Sequence, residues 1–261
     1  MNEQFPCFDF VVGKTPAGSM KALSDMIPFL KKEWFISTHI VYSKHSQIVE
    51  KYKDSHILIV GGGPSANQYE WELYDRDYTW SMNHFFKNDK FKNCEVDLVC
   101  IGAEVSQDNI HLIQQEWNPM LGFEPHPHWL SKVNLQKVFP HHCWPGRTRI
   151  FGFATHFYSK LGSCVRMAVL AASLGASKVS FIGMGDVQGM IEGNHAFEQD
   201  KKLLPSQINP NNIYSVFKYQ YQVWYNYMMS NYDTEIEFVD KNNALLQGLV
   251  YEPKKIPQVQ E

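Results

Sequence analysis

The chain has 261 residues, 44% of them apolar and 20% charged, enough to bury a sizeable core and too few charges for a disordered segment. Its 24 Lys and Arg against 27 Asp and Glu leave a net charge of −3, so the basic surplus of a protein that tracks nucleic-acid phosphates is missing. No apolar run reaches the ~18 residues of a transmembrane helix, residues 1–13 lack the order of a secretory signal, and the five cysteines (Cys7, Cys94, Cys100, Cys143, Cys164) are scattered without a CxxC pair; a cytoplasmic protein with reduced thiols is expected.

Residues 1–55 carry no chemical motif and read as an N-terminal extension, with a helix from Ser19 to Lys32 and a β-rich stretch from Trp34 to Tyr42. The main unit, 56–252, starts on a clear signal. Ile57-Leu58-Ile59-Val60 is short, apolar and mostly β-branched, and it ends in Gly61-Gly62-Gly63-Pro64-Ser65. Strand, glycine turn and helix in that order open a nucleotide-binding α/β unit. Amides in such a turn approach an anion closely, and the helix dipole favours negative charge there. The run fits the G-x-G-x-x-A form of the dinucleotide fingerprint. The acidic residue expected about 20 positions on is replaced by Asn83, and no Lys-Ser/Thr follows the glycines. A phosphate or nucleotide site other than NAD is the reading that remains, against a tight turn with no ligand.

Further strands are expected at Tyr78–Met82 and Val96–Ile101. The stretch Ser106–Pro145 has no clean period and reads as a helix followed by an irregular lid, the lid segment spanning about 106–147. Within it His126, His128, His141, His142 and Cys143 match no common closed zinc spacing, so a polar aromatic lid is preferred and no metal site is assigned. Cys164 to Leu174 is helix-favouring, with Ser163 placed to cap it and Gly175 to end it. Lys178–Ile182 is a buried strand ending in Gly183-Met184-Gly185-Asp186, followed by a loop to Gln207. Pro210-Asn211-Asn212 introduces a long helix in which Ile213, Val216, Phe217, Trp224, Tyr227 and Met228 follow helical spacing, its aromatics serving as core more than as a stacking face. Ile236–Val239 is a last strand, and 253–261 a loose tail. Strands alternating with helices make an α/β, Rossmann-like, doubly wound and mostly parallel sheet. The turns at 61–65, 162–163 and 183–186 then share one edge, where ligands bind.

The order of motifs is Ile-Val-Gly-Gly-Gly-Pro-Ser (59–65), Ser-Met-Asn-His-Phe-Phe (81–86), Gly-Ser-Cys-Val-Arg-Met-Ala-Val-Leu-Ala-Ala-Ser-Leu-Gly (162–175), Phe-Ile-Gly-Met-Gly-Asp (181–186) and Asn-His-Ala-Phe-Glu (194–198). Over about residues 56–245 this resembles the bacterial sialyltransferases that use CMP-sialic acid, and the related motility-accessory-factor glycosyltransferases. Archaeal-type 6-hydroxymethylpterin diphosphokinases share the outline. The resemblance implies a CMP-sugar donor transferred to a glycan acceptor, with no metal cofactor. Gly61, Gly62, Gly63, Pro64, Ser65, Asn83, Ser163, Gly183 and Asp186 would line the nucleotide site. Where that family carries Tyr-Ala-Phe-Asp, this chain has His195-Ala196-Phe197-Glu198, and its 208–219 stretch lacks the family's base histidine. His195, as base or phosphate donor, and Tyr214, as the nearest titratable replacement, are therefore the catalytic candidates. Two other readings stay open. One is a pyrophosphoryl transfer enzyme using ATP and Mg²⁺, with Asp186 holding the metal and Asp97 and Glu104 assisting. The other is a nucleotide-binding relative that lost its catalytic base.

Overall fold

The computed structural model describes residues 50–102, 105–123, 150–152, 161–201 and 213–252. Seven strands form one sheet: β1 (His56–Val60), β2 (Tyr78–Met82), β3 (Leu98–Cys100), β4 (Met120–Phe123), β5 (Ile150–Gly152), β6 (Lys178–Ile182) and β7 (Glu235–Phe238). Their order is β5-β4-β3-β2-β1-β6-β7, and all six neighbouring pairs are parallel. Strands β2 to β5 build outward on one side of β1, and the chain then returns to lay β6 on the other. That reversal leaves a switch point between the carboxyl ends of β1 and β6, the place where open α/β sheets bind ligands.

Parallel neighbours require crossovers. Among the described residues they contain α1 (Ser65–Gln68), α2 (Gln107–Glu116), α3 (Ser163–Ser173), α4 (Val187–Glu192) and α5 (Ile213–Asn231), and α6 (Ala244–Gln247) follows β7. Helix α3 packs on β1, β2 and β6. Its Ala-rich face is buried throughout, and it closes as expected at Gly175, with the Gly175 N–H donating to Ala172 O and the Ala176 N–H to Ala171 O. In α5, Trp224 is fully buried. Its ring meets Phe181 of β6 and Phe238 of β7, and its indole N–H donates to Val165 O of α3 at 3.2 Å.

Most of the aromatic content that lies in the described residues is core. Trp71, Trp80, Trp224, Tyr52, Phe85, Phe91 and Phe181 are its largest fully buried members. The α5 aromatics divide: Tyr221, Trp224 and Tyr227 are buried, whereas Tyr214 and Tyr219 are exposed. Tyr52, from the stretch just before β1, seats its ring against Trp80 of β2 at 5.0 Å.

The structure differs from the sequence reading at four places. The helix expected at the start of the 106–145 stretch is α2, capped by Ser106, but the irregular lid expected after it does not begin there: Met120–Phe123 is an inner strand of the sheet. Strand β5 lies in a stretch to which the sequence pattern assigns no element. The 183–207 stretch contains α4, capped by Asp186. Ser163 does not cap α3; Gly162 takes that position, and the Ser163 hydroxyl instead accepts from Arg166 at 3.2 Å. The expected elements at 19–32 and 34–42, the His126–Cys143 cluster and the tail from 253 lie outside the described residues.

Candidate functional site

The glycine turn leaves β1 and is fastened to the turn that leaves β6. The Gly61 N–H donates to Ile182 O and the Gly63 N–H to Gly183 O, both at 2.8 Å. The Ser65 hydroxyl, buried in α1, accepts the Gly183 N–H at 3.0 Å. Gly183 has a φ of +70°, and a Cβ there would strike the Gly61 carbonyl, so only glycine lets the two turns touch. Pro64 packs against Gly189 of α4. Gly61, Gly63, Pro64, Ser65 and Gly183 thus form a locked strut, in which the Gly61 and Gly63 amides are already engaged and cannot cradle a phosphate. This corrects the expectation that the turn binds through those two amides.

Gly62 is different. It is half-buried, and a Cβ on it would collide with the His195 imidazole. The chain beyond α4 folds back over the turn, fixed by the Ala196 N–H donating to Gly62 O at 2.8 Å. His195 Nδ1 accepts the backbone N–H groups of Phe197 and Glu198, each at 3.2 Å. Those two bonds set the tautomer: the proton resides on Nε2, the edge of the ring that lies against Gly62. Burial, with Lys201 and His84 nearby, pushes the His195 pKa down to about 4. At neutral pH the ring is therefore an uncharged N–H donor, and in this tautomer it has no free lone pair to act as a base.

The His195 loop is held from below by packing and charge. Phe197 is buried against Phe91, which in turn meets Phe85. Glu198 pairs with Lys201, with Lys87 at 3.6 Å and with His84 Nδ1 at 3.1 Å. Burial alone would raise the Glu198 pKa, but Lys201 and His84 hold it down to about 2.

Two more candidates lie at the same edge. Asn83, at the end of β2 and half-buried, has a left-handed φ of 45° and its Oδ1 accepts the Gly102 N–H beyond β3 at 2.7 Å. Ser163 sits in the open first turn of α3, and the next residue, Cys164, lies against Gly61. The Cys164 thiol is buried, which raises its pKa to about 12, so it serves packing and is not a nucleophile. Gly62, His195, Asn83 and the α3 N-terminus therefore gather around the carboxyl end of β1. Asp186 and Tyr214 stand apart, on a neighbouring concavity. Asp186 Oδ1 caps α4 through the Gly189 N–H at 2.8 Å, and Tyr214 is exposed in the first turn of α5.

The magnesium reading loses its helpers. Asp97 precedes β3, at the amino edge of the sheet opposite Asp186, where it pairs with Lys51 at 3.0 Å. Glu104 lies outside the described residues. No group of three His, Cys, Asp or Glu among the described residues is placed to hold a metal ion.

No family model and no curated protein matches this chain. Solved structures do. A variant of the sialyltransferase Cst-II in complex with CMP aligns with a TM-score of 0.53 at 16% identity, over 79% of this chain and 89% of that one. The sialyltransferase CstII from Campylobacter jejuni, in complex with the substrate analogue CMP-3FNeuAc, aligns equally well, over 79% and 90%. The class defined is an α/β protein with the fold of these sialyltransferases.

Proposed function

We propose that the chain is a glycosyltransferase that binds a CMP-sugar donor of the sialic-acid type and passes the sugar to a glycan acceptor. One observation carries the reading: a neutral imidazole, its Nε2–H fixed by two backbone amides, lies on the glycine turn at the carboxyl end of β1. A fold shared with sialyltransferases solved with CMP supports it.

In this reading the donor phosphate lies between the α3 N-terminus and His195, with Asn83 and Ser163 toward the nucleoside and the sugar end. The dipole of α3 and its open first-turn amides favour the phosphate charge. An acceptor oxygen attacks the anomeric carbon, the anomeric bond to the phosphate oxygen breaks, and the electron pair departs with CMP. His195 donates to that oxygen as its charge grows, which is worth most in the transition state. The acceptor proton leaves on the Tyr214 side and passes to solvent water, with the exposed Tyr214 hydroxyl as a relay that accepts it while donating its own.

Release of CMP from CMP-sialic acid, followed by chromatography with and without EDTA, tests this. Metal-independent release is expected. His195→Ala should lower it about 10²-fold, as loss of one oxyanion donor does, and His195→Gln, which retains an N–H, should recover part of the loss. Absence of release, or full activity in His195→Ala, contradicts the reading.

A further inference from the structure

Asn83 and His195 come from segments far apart in sequence, the turn after β2 and the loop after α4. One residue joins the two. Glu198 Oε1 lies 3.1 Å from His84 Nδ1 and 3.6 Å from Lys87 Nζ, both on the segment that follows β2, while Oε2 pairs with Lys201 of its own loop. The backbone N–H of the same residue donates to His195 Nδ1 at 3.2 Å. Its side chain thus grips the Asn83 segment while its main chain sets the imidazole.

An ion pair between mobile surface side chains holds little. This one differs. The side chains of Glu198 and His84 are 20% and 8% exposed, and three basic groups reach one carboxylate from two directions. Burial acts to protonate the carboxyl, yet Lys201 and His84 keep it ionised. Removing the charge from a group so enclosed leaves its partners uncompensated, which costs more than the loss of a rim pair. The loop has other fastenings, but they fall short of this point. Phe197 seats on Phe91, and the Ala196 N–H bonds Gly62 O. Both act before residue 198, whose amide supplies the second bond to the ring. At 3.2 Å that bond is at the long end of the normal range, so a small shift of the 198 backbone breaks it.

We infer that Glu198 is the positioning residue of this site: its carboxylate, anchored on His84 and Lys87, holds its own amide on His195 Nδ1 and so keeps the ring proton on Nε2, against the glycine turn. That this serves sugar transfer rests on the proposed function; the control of the tautomer does not. Glu198 touches no reacting atom and acts through His195.

The test pairs NMR with kinetics on the full chain. With ¹⁵N-labelled histidine, long-range ¹H–¹⁵N spectra at pH 7 report which ring nitrogen of His195 carries the proton, the signal being assigned by its absence in His195→Gln. The parent should show the Nε2–H form alone. In Glu198→Gln, which keeps the size and loses the charge, the two nitrogen shifts should draw together as the proton exchanges between them. Release of CMP from CMP-sialic acid should then fall about tenfold in kcat, with the donor KM within twofold. Placed in a His195→Ala background, Glu198→Gln should cost nothing further, because a residue that acts through His195 has nothing left to position. His84→Leu removes the anchor from the β2 side and repeats both readouts should Glu198→Gln fail to fold. An unchanged tautomer, an unchanged kcat, or the same tenfold loss in the His195→Ala background overturns the inference. A tautomer change in a chain that releases no CMP would uphold the positioning and sink the transferase reading; release that needs His195 but is indifferent to Glu198→Gln would do the reverse.

Discussion

His195 is the residue on which the chemistry turns, and its role has a pH signature. A base histidine near its ordinary value would give an acid limb at about pH 6.5. A donor that stays neutral until its pKa of about 4 leaves turnover flat from pH 7.5 to 5. A rate profile at saturating donor separates the two, and a limb near 6.5 would return His195 to the role of base. Stability changes in the same region with a definite sign. The unfolded chain takes up the His195 proton at about pH 6.5 and the folded chain only near 4, so stability is complete above 6.5 and declines as pH falls between those values. Glu198, held near 2 by Lys201 and His84 against the effect of burial, adds a second loss as pH falls from 4.5 toward 2. Denaturant midpoints from pH 7 to pH 4 should show His195→Gln with a shallower decline than the parent chain. Gly62→Ala tests the same contact sterically. Its backbone is outside the left-handed region, so alanine is conformationally acceptable, but the new Cβ displaces the imidazole. CMP affinity should fall about tenfold while the melting temperature changes little; unchanged affinity would mean the ligand does not lie at Gly62. In the sequence, His195 is a histidine in a loop. Its tautomer depends on the amides of Phe197 and Glu198, whose direction follows from how Phe197 packs, and no local pattern encodes that.

At the scale of elements, long and strongly patterned segments were legible. The apolar runs at 57–60 and 178–182, the Ala-rich helix at 163–173 and the helix at 213–231 all appear where hydrophobic periodicity places them. Strands β4 and β5 are four and three residues long, each contains a glycine, and they flank the Pro- and His-rich stretch; their strand character comes from pairing across the sheet. Helix α4 was hidden for a related reason: it has six residues and an internal glycine, Gly189, which is required where Pro64 packs. That contact joins α4 to the glycine strut, and the loop carrying His195 leaves from its end. Phe197→Ala should therefore cost about 3–5 kcal/mol of stability by cavity formation and also lower activity by releasing His195; urea denaturation and CMP release on the same samples check both. Asp186→Ala should lose about 1 kcal/mol as a missing cap, with Asp186→Asn close to the parent chain. A far larger loss of activity than of stability in Asp186→Asn would show a carboxylate role beyond capping.

For the whole molecule, the strand order carries the argument. The sheet reverses between β1 and β6, and the glycine strut closes that seam with backbone contacts. The two sides differ: around His195 a neutral imidazole stands beside a Glu198 carboxylate paired with Lys87, Lys201 and His84, whereas carboxylates and amides without a described Lys, Arg or His line the Tyr214 side. The edge where both lie was predictable from alternation of strands and helices; the division between its two halves was not, because it depends on which side of β1 each turn falls. The most direct test is calorimetric titration of the full chain with CMP in the presence of EDTA, in the parent chain and in His195→Ala and Asn83→Ala. The account predicts metal-independent, one-to-one binding that weakens at least tenfold in both variants. No CMP binding, binding that requires Mg²⁺, or binding that neither substitution alters would contradict it.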